Sequence, residues 1–412
     1  MTLPRHKIPA QRRQEILRAV QSGSTHVSDL AQSFGVSEMT VRRDLRELAS
    51  EGKLERVRGG AVNASGEPPF EETVVERFEA KNRIGAAAAA LVRDGSRVSG
   101  VWTEAGERLD AHLVVDAMGR RSRLPALLED GIEEEAEDSG FVYYTRFYRS
   151  ADGSTPMVRT PFLTPFESFS LLTLPADSGT WSITLYAATG DRPLKSLRHE
   201  PAFTAAVQAC PLHAHWLDGE PISDVLAMGG VLDRRRRVDP SAVTGVVPLG
   251  DAWACTNPSL GRGMSFALSH AALLRATLRE HGDDPAAFAV AFDAATEREL
   301  GPWYDATLVV DRARLAELEA ARTGGPYTVP TDPASRLRAA LPLASGLDAD
   351  AFRAQVEILS TLTLPQEVFA RPGLAERVLA AAAARGMGRL PGPGREELLE
   401  LVSASGARAG AL

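Results

Sequence analysis

The stretch VSDLAQSFGVSEMTVRRDLRELASEGKLERVRGGAV, residues 27–62, leaves the chain few folding choices. Val41, Leu45 and Leu48 recur at i, i+4 and i+7, so a helix here has one apolar face that must be covered. Ser37 stands where such a helix wants its N-cap, and Gly52 where it must stop. Just upstream, Leu30, Ala31 and Phe34 predict a shorter helix, capped by Ser28 and closed by a turn at Gly35. Earlier still, AQRRQEILRAVQSG places Ile16, Leu17 and Val20 on one helical face and halts at Gly23. After the last helix, KLERVRGGAV reads as a strand, a Gly59-Gly60 turn and a second strand.

The outer face of the helix after Ser37 carries Glu38, Thr40, Arg42, Arg43 and Arg46. A short helix, a Gly turn and a second helix with cations outward is the helix-turn-helix arrangement. Arg42, Arg43 and Arg46 then reach base edges or phosphates in a major groove, and the Ser37 and Thr40 hydroxyls bond either. Lys53, Arg56 and Arg58 make the hairpin a basic wing that tracks the backbone. The alternative on spacing alone is a three-helix interaction module with a solvated charged face. The charge distribution suits the first, although a chance fluctuation could also give it. Residues 1–62 hold eleven Lys/Arg and seven Asp/Glu, a net +4, whereas the remainder holds 35 and 47, a net −12.

Residues 29–62 closely resemble the winged helix-turn-helix of DeoR-type bacterial transcriptional repressors. The resemblance runs on through PPFEETVVERFEAKNRIGAAAAALVRDG, residues 68–95, similar to that family's linker and the first helix of its effector domain. It implies operator double-stranded DNA as partner. A single head buries little DNA, so a homodimer is expected. Beyond Gly95 the Gly-Thr-Thr phosphate loop of that family is missing, and its ligand class does not carry over.

The body begins with SRVSGVWTEAGERLDAHLVVDAMGRRSRLP: a strand, a turn at Glu104–Gly106, a strand, and a buried strand HLVVDA ending on Asp116. A loop, Gly119 to Ser122, follows. GFVYYTRFY and SFSLLTLPADSGTWSITLYA are aromatic, β-branched runs that suit an antiparallel sheet. A helix is expected over 195–209, and a buried strand TGVVPLGDA carries Asp251 at its C-terminal end. A carboxylate there, with Gly261 and Gly263 opening a helix, suits polyol hydroxyls and developing negative charge. The segments DAMGRRS and GDAWACTNPSLGRG resemble those of aromatic-hydroxylase-type FAD-dependent monooxygenases and related oxidoreductases. That resemblance implies Asp116, Gly119 and Ser122 near the FAD pyrophosphate, and Asp251, Pro258, Gly261 and Gly263 at the ribityl chain. It implies a substrate-covering sheet over 139–237 and a small aromatic or hydrophobic substrate.

One part of that family's pattern is missing. No GxGxxG occurs anywhere in the chain, and the head occupies the place where that unit belongs. Losing about 4 kcal/mol at the pyrophosphate end turns a nanomolar cofactor micromolar. FAD is therefore a doubtful cofactor.

Other candidates are weaker. Cys210 and Cys255 fit no disulfide framework, which points to a reducing cytoplasm. The N-terminus has no signal-peptide core, and IGAAAAALV is too short to span a membrane. Cys255 reads as an ordinary loop residue, and His213 and His215 as a sheet-edge pair without a third ligand, so no metal is expected. Tyr143, Tyr144, Arg146 and Tyr148 either line a substrate cavity or belong to the core. DRRRRVD, residues 233–239, reads as a solvated turn, and SASGARAGAL as a disordered end. No nucleophile–base–acid set is legible, so catalytic residues stay unassigned.

The expected fold is α+β and multidomain. A winged helix-turn-helix spans 1–62, and a linker and helix 63–95. A partial FAD-binding-like α/β domain takes 96–138 and 238–281, an antiparallel sheet 139–237, and a helical region 282–412. Three functions compete: a DeoR-type regulator with a truncated flavoprotein-like body, an FAD-dependent oxidoreductase, and a non-functional fusion joined near 93–99.

Overall fold

The computed structural model describes residues 12–13, 16–17, 26–50, 54–57, 60–63, 88–128, 130–326, 331–385 and 390–409. The chain divides into two units, Met1–Ile84 and Gly85–Leu412.

In the first unit the helix Val27–Phe34 starts one residue ahead of Ser28, so Ser28 lies inside it rather than at its cap. Gly35, at φ +62°, turns the chain in a backbone region that L side chains rarely adopt. The helix Glu38–Ser50 follows. Ser37 caps it as expected: Thr40 N–H donates to Ser37 Oγ at 3.2 Å. Val41, Leu45 and Leu48 are buried with Ile16, Val27, Leu30 and Leu54 in one apolar cluster. Arg12 joins them, its Nε 2.6 Å from Asp44 Oδ2 and its Nη2 3.2 Å from Oδ1. Strands Leu54–Val57 and Gly60–Asn63 pair antiparallel with Val57 opposite Gly60. Gly60, expected in the turn, is the first residue of the second strand, and Gly59 lies outside the described residues.

The second unit opens with a meander of Ala88–Asp94, Arg97–Thr103 and Arg108–Asp110. The first strand corrects the expectation of a helix running to residue 95. Its backbone is satisfied by Arg97–Thr103, with a bulge between Ala88 and Ala90. Strands Val114–Asp116 and Val246–Pro248 pair in parallel. The first of these is less buried than expected, because Val115 is 40% exposed. Gly245, at φ +78°, lets this layer meet the meander: a Cβ there would lie 2.1 Å from the Val98 carbonyl oxygen.

The antiparallel sheet orders Glu220–Pro221, Phe141–Arg149, Thr180–Ala188, Ser170–Pro175 and Leu163–Pro165, with Leu226–Met228 also on Phe141–Arg149. Phe141–Arg149 is covered on both faces: Phe141 and Tyr143 join Tyr186 and Leu318 in one apolar cluster, and Tyr144 and Tyr148 point to the other face. That face packs Tyr144, Tyr148, Leu171, Trp181, Ile183 and Leu185 on Phe203, Val207 and Trp216. Phe203 and Val207 come from the helix Glu200–Gln208, preceded by a 3-10 turn Pro193–Arg198.

The arginine run is a strand and not a solvated turn. Leu232–Val238 pairs with the acidic strand Ile132–Asp138, Arg235 opposite Glu135 and Arg236 opposite Glu134, and on its other side with Ala254–Cys255. Opposite charges across the ladder offset the repulsion that would otherwise forbid four adjacent arginines. Helices Gly263–His281, Pro285–Glu299 and Gly301–Thr323 follow. Pro333–Ala344, Ala349–Leu359, Pro365–Phe369 and Leu374–Arg385 share an Ala/Leu/Val cluster of their own. Most of the end expected to be disordered belongs to the helix Arg395–Ala409. It is held because Leu398 and Val402 enter the sheet's core and Arg395 pairs with buried Asp191 at 2.7 Å.

Candidate nucleic-acid interface and candidate flavin cradle

In the first unit, burial of Val41, Leu45 and Leu48 fixes the rotation of the helix Glu38–Ser50, so its opposite face is presented outward. Arg42, Arg43 and Arg46 are all exposed there. Arg42 is tied to Glu38 at 2.7 Å, whereas Arg43 and Arg46 have no ionic partner among the described residues. Ser37 Oγ lies 2.9 Å from Thr40 Oγ1, so the two predicted hydroxyls are together. Arg56 is on the first hairpin strand. Lys53 and Arg58 lie outside the described residues.

In the second unit the two predicted segments come together. Asp116 ends the strand Val114–Asp116, and its buried carboxylate accepts from Ser122 Oγ and, at 3.0 Å, from Met118 N–H. These bonds hold the loop that turns at Gly119. The Asp116 carbonyl accepts from Leu249 N–H at 2.8 Å, which sets this loop beside Asp251. A Cβ on Gly119 would lie 3.9 Å from Asp251 Cβ, and one on Gly263 3.5 Å from Asp251 Oδ1. Asp251 is itself exposed. Pro258 begins a 3-10 turn that ends at Gly261, φ +66°, and the helix then starts at Gly263. Asp251 thus lies beside Gly119 and beside Gly263, the first residue of this helix. Asp116 and Ser122 instead satisfy each other and brace the loop.

A polar network beside this loop was not legible in the sequence. Tyr143 O–H donates to Asn257 Oδ1, and Asn257 Nδ2 donates to Asp311 Oδ1 at 2.9 Å and to Ser259 Oγ at 3.2 Å. Ser259 Oγ donates to the same Asp311 oxygen at 2.9 Å, while Asn257 N–H donates to Asp233 Oδ1 at 2.6 Å. Burial, then nearby Asp233, pushes the Asp311 carboxyl up to about 7 against the hydrogen bonds it accepts. Arg262, buried between Thr307 and Trp303, is lowered to about 10 by desolvation. The far oxygens of Asp233 and Asp311 and the Arg262 Nε have no hydrogen-bond partner among the described residues. The only sequence signal was the polar content of TNPSLGR; its partners are 24 to 114 residues away.

The remaining candidates are structural. His213 is fully buried against Thr160 and Thr164 and is lowered to about 4 by desolvation. His215 Nε2 meets the Met157 carbonyl at 2.8 Å. Burial raises the Cys255 thiol, the opposite of nucleophilic activation. Tyr143, Tyr144 and Tyr148 are buried, and Arg146 pairs with Glu200 at 2.8 Å. Among the described residues no group of three or more His, Cys, Asp or Glu could hold a metal ion. No helix among them is long and apolar enough to cross a membrane.

The DeoR-like helix-turn-helix domain matches residues 12–66. A protein of Escherichia coli K12 described as a galactitol utilization operon repressor is 38% identical over 106 residues, 23% of this chain and 95% of that protein. Protein Rv3254 of Mycobacterium tuberculosis is 31% identical over 188 residues, 44% of this chain and 40% of that protein. An alignment of that length cannot be contained in the first unit. The chain spans 36% and 51% of the length of two further curated relatives. Among solved structures, HpxO of Klebsiella pneumoniae, complexed with FAD and uric acid, is 16% identical. It covers 78% of this chain, and this chain 73% of it, at a TM-score of 0.43. With its head the chain belongs to the DeoR-like helix-turn-helix family.

Proposed function

We propose that this chain is a DNA-binding transcriptional regulator of DeoR type with a flavoprotein-like body. Residues 1–62 act as a winged helix-turn-helix on operator double-stranded DNA, and a homodimer engages two half-sites. One observation carries the reading: a helix whose apolar face is locked into the head's core while Arg42, Arg43 and Arg46 face outward. Gel-shift titration of the full chain on duplex DNA tests it. With four to six phosphate contacts, log K falls against log salt with a slope of about −4 to −5. A salt-independent or undetectable shift removes the proposal.

The body reads as an incomplete cradle, residues 96–138 and 238–281 with the strand before them, under a substrate-type sheet, 139–237, and a helical region, 282–412. Its residues fit one end of FAD only. Asp251, Gly261 and Gly263 suit the ribityl chain, whereas the pyrophosphate end lacks the GxGxxG unit. The parallel layer has two strands among the described residues, and Val115 is left exposed where such strands are normally covered. The second reading is an FAD-dependent oxidoreductase of small aromatic or hydrophobic molecules, favoured by the convergence on Asp251. Absorbance after incubation with FAD and desalting separates the two: one retained isoalloxazine per chain supports the enzyme, and colourless protein the regulator.

A further inference from the structure

Met39 is 79% exposed on the helix Glu38–Ser50. It begins a stripe with Arg42, Arg43 and Arg46 at i, i+3, i+4 and i+7, so it shares their face. The polar groups around it are engaged with one another: Ser37 Oγ with Thr40 Oγ1 at 2.9 Å, and Glu38 with Arg42 at 2.7 Å. Side chains on a helix lean toward its N-terminus, so the thioether covers the leading end, the part that enters a groove first. A lone exposed methionine elsewhere would need no explanation. Here it is the apolar tip of a cationic stripe. The 5-methyl of thymine is the apolar feature among the base edges of the major groove.

We propose that Met39 packs on a thymine methyl group and is a specificity-determining residue of the DNA interface, an inference that rests on the regulator reading above. Selection of random duplexes by the full chain, wild type and Met39→Ala, supplies the sites. Each thymidine of the wild-type site is then replaced in turn by deoxyuridine, which lacks the methyl. At one position the replacement should weaken wild type about fourfold, the worth of one buried methyl, and leave Met39→Ala unchanged. Both proteins should bind a scrambled duplex equally at low salt, which shows the variant is folded. If wild type enriches no sequence, the DNA-binding reading falls and takes this inference with it. If wild type enriches a site but ignores every deoxyuridine, or Met39→Ala keeps wild-type sensitivity, the Met39 assignment alone falls.

Discussion

Asp44 sits among Val41, Leu45 and Leu48 on the covered side of the helix Glu38–Ser50, and Arg12 is what makes that tolerable. Removing one partner strands the other charge in an apolar setting. Asp44→Ala should therefore destabilise the head by about 3–5 kcal/mol, whereas replacing both by apolar residues of similar volume should recover most of it. Urea unfolding of the single and double variants checks this. Asp311 makes a different prediction. Its carboxyl keeps its proton in the fold up to about pH 7, against a usual 3.8. Between those values the folded state holds the extra proton, so this residue's contribution to stability falls as pH rises through the window and stays low above it. Asp311→Asn keeps an acceptor for Asn257 and Ser259 but no longer ionises. Its urea midpoint relative to wild type should rise between pH 5 and pH 8; an unchanged difference would refute the assignment.

Paired strands of opposite charge are the body's least ordinary element. Arg236 is nearly fully buried, donating to Glu134 at 2.6 Å and to the Ala252 carbonyl at 3.1 Å. Arg312 pairs with Glu137 at 2.7 Å but is mostly exposed. Burial, not the ion-pair distance, should decide their worth. Arg236→Ala should cost about 3–5 kcal/mol, and Arg312→Ala less than about 1 kcal/mol. Thermal unfolding of the two variants should separate them, and equal losses would contradict this account. The burial of Arg236 is not readable from DRRRRVD alone, since a run of arginines without a visible partner reads as solvated.

At the scale of the whole molecule, each unit has apolar clusters of its own. Two calorimetric transitions are expected. A ligand that binds only the native head raises only the head's transition, so duplex DNA at a hundredfold excess over Kd should add about 2.7 kcal/mol there and leave the body's midpoint in place. An unchanged head transition in excess duplex DNA would contradict the regulator reading.

How much of this was legible follows the range of the contacts. In the head, the helix after Ser37 and its apolar buried residues come from spacings within a few residues, and the sequence alone determined them; the hairpin differs from the expected Gly59-Gly60 turn, because Gly60 pairs with Val57. The resemblance put Gly119 and Asp251 in one pocket but at different parts of the cofactor; their direct approach, across 132 positions, was decided by the tertiary structure. The strand Ala88–Asp94 defeats its alanine-rich composition because Arg97–Thr103 supplies a hydrogen-bonding partner. The arginine strand, the ordered terminal helix and the Asn257–Asp311 network were decided by tertiary structure. In each, a charged or polar group is buried only because a partner distant in the chain satisfies it, and no local pattern encodes that partner.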